Sequence, residues 1–317
     1  MIQGRLAQLG EHHVRNVGVG GSNPLPSIIN MLKIYKYKKS PVLYVFAAAV
    51  VLFLGISVAP KISFGAEKVL RASDNRIVSF KQMIDDIKRV NIVFVGEFHD
   101  NEDHHRYQLN IIKALSDAGI PTAVGLEMFA SDFQKDLDMW VSKDISLNDF
   151  LEVYNNNWLY SWSLYRDIFL HARDNNIPMV GLNVLRTITQ KVSIYGISSL
   201  TDEEISALPP DLICEIDSKA IDILKSVYQS HNKENFIYFC EAQAIWDKAM
   251  AMNIMKFIEK NPEGLLVVLA GTGHSMKFGI PYQIRKNSGF FYRVIIPDVP
   301  IRDREITAQY ADYIILK

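Results

Sequence analysis

Four apolar runs constrain this chain more than any other feature: "NIVFVGEFH" at 91–99, "PTAVGLEMF" at 121–129, "PMVGLNVLR" at 178–186 and "LLVVLAGTGH" at 265–274. None of them alternates regularly between apolar and polar residues, so none has a face meant for water. Unbroken Val, Ile and Leu of this length suit strands buried on both sides, the pattern of a mostly parallel sheet covered by helices. The segment between the first two runs, "EDHHRYQLNIIKALSDAG", has helical spacing. Leu109, Ile112 and Leu115 share one stripe, acids stand at its start and Gly119 is its C-terminal cap. Strand, helix, strand is the order of an α/β fold.

Each run empties into polar side chains. In open α/β sheets ligands bind beyond the carboxyl ends of the strands. That edge collects Glu97 and His99 from the first run, Glu127 from the second, Asn183 and Arg186 from the third and His274 from the fourth. Asp100, Asn101, Glu102 and Asp103 read as a helix cap and partners of the helix dipole. His104 and His105 fall in the first helical turn, with one of them expected to face solvent. Glu97 and Glu127 are different, because a carboxylate at the end of a buried strand costs several kcal/mol unless it is paired or metal-bound.

The segment "DFLEVYNNNWLYSWSLYRDIFLHARDNNIP" places Tyr154, Trp158, Trp162, Tyr165 and Phe169 at spacings of three and four. That is one helical face or two short helices, and either core packing or the wall of a flat apolar ligand. Residues 187–235 have few strand signals and read as a helical insertion over the sheet edge, a lid or padding. Within it Thr201 and Glu204 form a capping box before a short helix ended by Pro209 and Pro210. The following "NFIYFCEAQAIWDKAMAMNIMKFIEKN" is a long helix with Gln243, Trp246, Asp247 and Met250 on one face. Polar Gln and Asp on an apolar side need partners, and the helix is expected to line the same cavity.

With 317 residues, 49% of them hydrophobic, the chain can bury the core of one large domain or two small ones. A net charge of -1 and the lack of a basic stripe outside the N-terminal region argue against nucleic acid as a partner. The two cysteines, Cys214 and Cys240, form no C-x-x-C pair, which excludes a zinc ribbon and a dense disulfide scaffold. They are either one bridge or two small buried residues.

Residues 1–30 have no helical or strand period and read as a non-native or disordered extension. Their "GSNP" is what the T-arm of a transfer-RNA gene yields when translated in frame, which places the expected start at Met31 and discounts His12 and His13 as ligands. From Met31 a basic stretch, "MLKIYKYKK", precedes the apolar "PVLYVFAAAVVLFLGISVA" and a small-residue exit near Ala66. Residues 31–66 thus read as a signal peptide or signal anchor, with the body exported. No cysteine ends the apolar run to take a bacterial lipid anchor.

Over residues of about 80 to 285 the chain resembles the ChaN-like haem-binding uptake family of the Tiki superfamily. The resemblance is carried in order by "FVGEFHDNEDHH", "GLEMF", the Trp and Tyr of the aromatic segment, "GLN" with Arg186, "IWD" and "LAGTGH" before "GIP". The superfamily's paired G-x-x-H motifs match Gly96 to His99 and Gly271 to His274, with Glu97 or Glu127 as the acid. It implies an α/β fold for residues 67–317, with a mixed, mostly parallel central sheet, helices on both faces and a small helical lid. It also implies two functions.

The first is an exported haem-binding protein in haem or iron acquisition or handling, periplasmic or membrane-anchored facing outward. Its partners would be haem or another small ligand, an outer-membrane haem-uptake receptor and a second copy of the chain, with the membrane touched only through the N-terminal segment. The pocket expected is His104, Tyr107, Trp158, Trp162, Tyr165, Asn183, Arg186, Gln243, Trp246 and Asp247. Haem-binding relatives hold iron through tyrosine, for which Tyr107, Tyr154 and Tyr165 are the candidates. The second is a metal-dependent hydrolase, protease-like or esterase-like, with His99, His274, Glu97 and Glu127 holding a divalent first-row ion and Glu97 or Glu127 as catalytic base.

Overall fold

The computed structural model describes residues 68–206, 208–209, 235–298 and 307–316, all within one compact unit of residues 60–317. The N-terminal extension, the signal segment, Cys214 and the later part of the insertion lie outside the described residues.

The chain runs β1 (Val69–Arg71), β2 (Arg76–Val78), α1 (Phe80–Ile87), β3 (Ile92–Glu97), α2 (Glu102–Asp117), β4 (Thr122–Ala130), α3 (Gln134–Ser142), α4 (Leu147–Asn157) and α5 (Trp162–Asp174). It continues through β5 (Met179–Asn183), α6 (Arg186–Tyr195), α7 (Asp202–Ser206), α8 (Phe236–Lys260), β6 (Leu265–Gly271), α9 (Thr272–Ser275), α10 (Ile280–Asn287), β7 (Tyr292–Pro297) and β8 (Tyr313–Ile315). The strands form one sheet in the order β2-β1-β8-β7-β3-β6-β4-β5. The four apolar runs are its adjacent strands β3, β6, β4 and β5, all parallel. Strand β7 is parallel to β3 and β8 to β7, while β1 runs antiparallel to β2 and β8, which makes the sheet mixed.

Side chains alternate across the sheet with a period of two. Val93 and Val95 of β3 and Val267 and Leu269 of β6 face a core shared with α1 to α5. Ile92 and Phe94 with Leu266 and Val268 face a second core built on α8 and α10. Each of these side chains is buried, and burial of one contributes roughly 1.5–3 kcal/mol. Helices therefore cover both faces, and the parallel strands deliver their carboxyl ends to one edge.

Three expectations are corrected. His104 and His105 are both buried, where one was expected in solvent. The inner face of α2 lies against β3, and Nδ1 of His104 accepts the N–H of Phe98 at 2.9 Å. The inner stripe of α2 runs through Gln108, Ile111, Ile112 and Leu115, with Leu109 only partly buried. The third run stops being a strand at Asn183, so Arg186 opens helix α6 rather than ending β5.

Other local expectations hold. Asn101 caps α2 through its side chain, Gly119 follows the helix with φ +73°, and Thr201 and Glu204 exchange capping hydrogen bonds at α7. The aromatic segment is two helices, α4 and α5, broken at Trp158 to Ser161. In the insertion, Ile188, Val192, Leu200 and Leu208 pack against Ala242 and Ile245 of α8. Cys240 is buried on α8. Among the described residues no helix is long and apolar enough to cross a membrane.

Candidate functional site

Strand β3 ends at Glu97, whose carboxylate is almost fully buried. Its position two residues beyond Val95 turns it towards the α2 and α5 layer. Oε1 accepts from Nδ1 of His99 at 2.7 Å and from the Tyr165 hydroxyl. Oε2 accepts from Nε2 of Gln108 at 2.7 Å and lies 3.1 Å from Nδ1 of His105. Burial alone would raise the Glu97 pKa, but the hydrogen bonds from His105 and His99 hold it down at about 2. Nε2 of His105 lies 3.2 Å from the His99 carbonyl, so both its ring nitrogens face acceptors, and although burial lowers its pKa the Glu97 carboxylate outweighs this and raises it.

This bonding pattern decides the state of His99. A carboxylate only accepts, so Nδ1 of His99 carries a proton, and Nε2 is claimed by no hydrogen bond among the described residues. The ring stands edge-on to Trp158, with centroids 4.9 Å apart, and beside Tyr160 at 5.0 Å. Gly271 makes room for it, since a Cβ there would stand 3.1 Å from Cε1 of His99.

Glu127 arrives from an irregularity in β4. The pairing of β4 with β5 shifts register between Leu126 and Ala130, and Met128 and Phe129, consecutive in sequence, both enter the same core. Such bulges re-aim side chains near sites. Here Oε2 of Glu127 accepts the Gly271 N–H at 2.6 Å, and Nδ2 of Asn183 donates to the Glu127 carbonyl at 2.9 Å. Nε2 of His274 is 3.8 Å from Oε1 of Glu127. On its other side, Nδ1 of His274 is 2.6 Å from Oδ1 of Asp247 on α8. Burial pulls the His274 pKa down, but the Asp247 and Glu127 carboxylates outweigh it and push it up to about 9. Burial raises that of Asp247.

These groups border a cavity of about 430 Å³. Its wall includes His99, Glu127, Trp158, Asn183, Arg186, Gln243, Trp246 and His274, all anticipated from sequence. The remaining expected pocket residues stand elsewhere. Trp162 and Tyr165 belong to the α4 and α5 core, and Tyr107 packs on it from α2. His104 is under the β3 end, and Asp247 stands behind His274 rather than on the wall. Of the tyrosine candidates, Tyr154 donates to the Tyr160 carbonyl and Tyr165 to Glu97, so both hydroxyls are committed inside the core.

The wall also holds residues that sequence spacing missed: Met128, Phe133, Leu159, Tyr160 and Phe239. Tyr160 is the tyrosine that does reach the cavity. One signal was present, because Asn155, Asn156 and Asn157 are a run of poor helix formers that marks the break turning Trp158 to Tyr160 outward.

Among the described residues no group of three or more His, Cys, Asp or Glu is set to hold a metal ion. The four-residue set expected for a divalent ion does not assemble, because both oxygens of Glu97 are taken by donors and Glu97 is not on the cavity wall. Haem requires a flat apolar slot, an axial donor and a cation for its propionates. The lining residues fit those needs: Trp158, Tyr160, Trp246 and Phe239 would supply the slot, an imidazole the donor and Arg186 the cation.

Fold and site define an α/β protein with an aromatic cavity under two carboxylate-held imidazoles at the carboxyl edge of its sheet. The chain belongs to the family described as "Haem-binding uptake, Tiki superfamily, ChaN", whose model matches residues 83–284. A solved structure of ChaN from Campylobacter jejuni with cofacially bound haem is 22% identical and covers 78% of this chain and 95% of its own, with a TM-score of 0.64. At that identity the likeness is one of fold. The chloroplastic protein RETICULATA-RELATED 5 of Arabidopsis thaliana is 22% identical over 226 residues, 65% of this chain, which spans 31% of that relative's length. Erythromycin esterase EreC in its open conformation is a weaker match, 13% identical over 72% of this chain and 76% of its own, with a TM-score of 0.45.

Proposed function

We propose that this chain is an exported protein that takes haem into the cavity at the sheet edge, in the acquisition or handling of iron. The observation that carries the reading is an apolar, aromatic-walled cavity beside imidazoles whose Nδ1 atoms are already engaged. His99 would hold the iron, because no hydrogen bond among the described residues claims its Nε2, whereas the Nε2 side of His274 faces the Glu127 carboxylate. Arg186, at the first turn of α6, would pair with the propionates. Bound haem would supply a redox-active iron centre. The basic and apolar segment after Met31 supports export, and the partners proposed are an outer-membrane haem receptor and a second copy of the chain. Titration of the purified chain with hemin tests the reading: a saturable Soret shift is expected, and linear, non-saturating absorbance overturns it.

A second reading has one observation in its favour. Glu127, His99 and His274 line one cavity, with Glu127 3.8 Å from the His274 ring. A carboxylate beside two imidazoles suits general-base hydrolysis. An ester-hydrolysis assay together with the Soret band separates the readings, since this one predicts turnover that is lost in Glu127→Gln.

A further inference from the structure

The hydrogen bond between Asp247 and His274 joins helix α8 to the single turn α9 that follows β6. Helix α8 is lined on this side by Met250, Ala251 and Ile254, all buried and apolar. Asp247 joins them with a carboxylate whose side chain is only 18% exposed. A carboxylate so withdrawn from water costs several kcal/mol unless it is matched. The match is Nδ1 of His274 at 2.6 Å, on the single turn α9 that follows β6. His274 is itself only 12% exposed, so each group shields the other's contact from water.

Because a carboxylate oxygen only accepts, the bond assigns the Nδ1 proton and fixes the ring about its own axis. Trp246 adds a second restraint, edge-on to the ring at 90° with centroids 5.7 Å apart. The outcome is an imidazole whose Nε2 side faces the cavity and Glu127 and cannot turn away without breaking the Asp247 bond. Across the cavity Glu97 treats His99 in the same way, with Nδ1 held and Nε2 left to the cavity. The two carboxylates come from opposite layers of the fold, one at the end of β3 towards the α2 and α5 layer and the other on α8. Glu97, though, is also held by Tyr165, Gln108 and His105, so it belongs to the core as well. Asp247 has His274 as its sole side-chain partner among the described hydrogen bonds.

We propose that Asp247 is a positioning residue for the ligand cavity, holding His274 with Nδ1 protonated and Nε2 turned towards whatever ligand enters. The inference rests on the cavity being the ligand site, and it makes Asp247 act on the ligand through His274 without touching it.

Nitrogen-15 spectra of the histidine rings in the ligand-free full chain, paired with hemin titration of the same samples, test it. In the unsubstituted chain His274 is expected to show a protonated Nδ1. In Asp247→Ala that signature is expected to be lost and hemin affinity to fall by roughly 10- to 100-fold, with Asp247→Glu restoring part of both. If Asp247→Ala fails to fold, Asp247→Asn, of equal size, gives the decision, since an amide can donate to Nδ1 and release its proton. Unchanged ring signals overturn the proposal, as does an altered ring with unchanged affinity. A fall in affinity without a change at the His274 ring also overturns it. Should the unsubstituted chain bind no hemin, the haem reading fails, while the ring spectra still decide whether Asp247 holds the His274 Nδ1 proton.

Discussion

Oε1 of Glu97 and Nδ1 of His99 stand 2.7 Å apart, one inside the core and the other on the wall of the cavity. The pair explains why a greasy strand runs straight into acids and imidazoles. Glu97 is not displayed to a ligand. It is sunk at the end of β3, saturated by donors, and its charge orients the ring that is displayed. Thr272, the first residue of α9 just past β6, pins the same point, its hydroxyl donating to the Glu97 carbonyl at 3.0 Å.

The Glu97 centre predicts an acid limit to stability. Its folded pKa, about 2, lies below the ordinary 4.5. A depressed carboxylate contributes stability that is present above 4.5 and is lost as pH falls towards 2, on the order of 3 kcal/mol in all. His274 has the opposite sign. Its pKa is raised from 6.5 to about 9, so its contribution is complete below 6.5 and is lost as pH rises through about 9. Urea midpoints measured against pH should therefore peak between about 4.5 and 6.5 and fall on both sides. A midpoint that holds constant from pH 5 down to about 2 would contradict the Glu97 geometry.

The two imidazoles should not be equivalent towards hemin. His99→Ala removes the open Nε2 and should abolish the Soret shift or weaken binding by at least about tenfold, roughly 1.4 kcal/mol. His274→Ala removes a ring held between Asp247 and Glu127, and should lower affinity while leaving the band position of the iron centre nearer to that of the unsubstituted chain. Spectra of the two variants side by side check the assignment, and a reversed order would move the axial role to His274.

Gly271 offers a probe of the cavity that spares the core. Gly271→Ala would set a methyl 3.1 Å from Cε1 and 3.3 Å from Nε2 of the His99 ring, tighter than ordinary contact. Its nearest neighbours are that ring and Glu127, so the side chain that must give way is His99. The expected outcome is a drop in hemin affinity of about tenfold or more with a destabilisation of about 1–3 kcal/mol, typical of overpacking. Calorimetric melts and hemin titration on one preparation separate the two effects.

What could be read in advance followed burial. Strands β3, β6, β4 and β5 are covered on both faces, so their sequences are continuous apolar runs that announce themselves. Strands β1, β2 and β8 are three residues each, too short to show a period, and β7 opens with the half-buried Tyr292 and Arg293. The site divides in the same manner. His99 and His274 were legible because they sit just past strand ends, and Glu127 because a carboxylate interrupts an otherwise apolar run. The acceptor of each imidazole was not, since spacing says nothing of which carboxylate faces which ring. Nor could spacing separate Tyr165, turned into the core on α5, from Tyr160, released to the cavity by the helix break.

That last distinction is open to experiment. Tyr165→Phe deletes one of the donors to a buried carboxylate, and a hydrogen bond to a charged group is worth about 1.5–3 kcal/mol. The ring still packs against His105, 4.1 Å away by centroids, so no cavity is created. The variant should thus melt earlier by an amount in that range and bind hemin as before. Tyr160→Ala should do the reverse. Tyr160 is 39% exposed and stacks beside His99 and Trp158 on the cavity wall, so its loss should cost little in the melt and weaken hemin binding. Tyrosine held as an iron ligand would behave otherwise at Tyr165: the phenylalanine variant would lose its characteristic iron spectrum. Burial and the Glu97 charge both push the Tyr165 hydroxyl pKa upward, against the tyrosinate form that such a ligand requires.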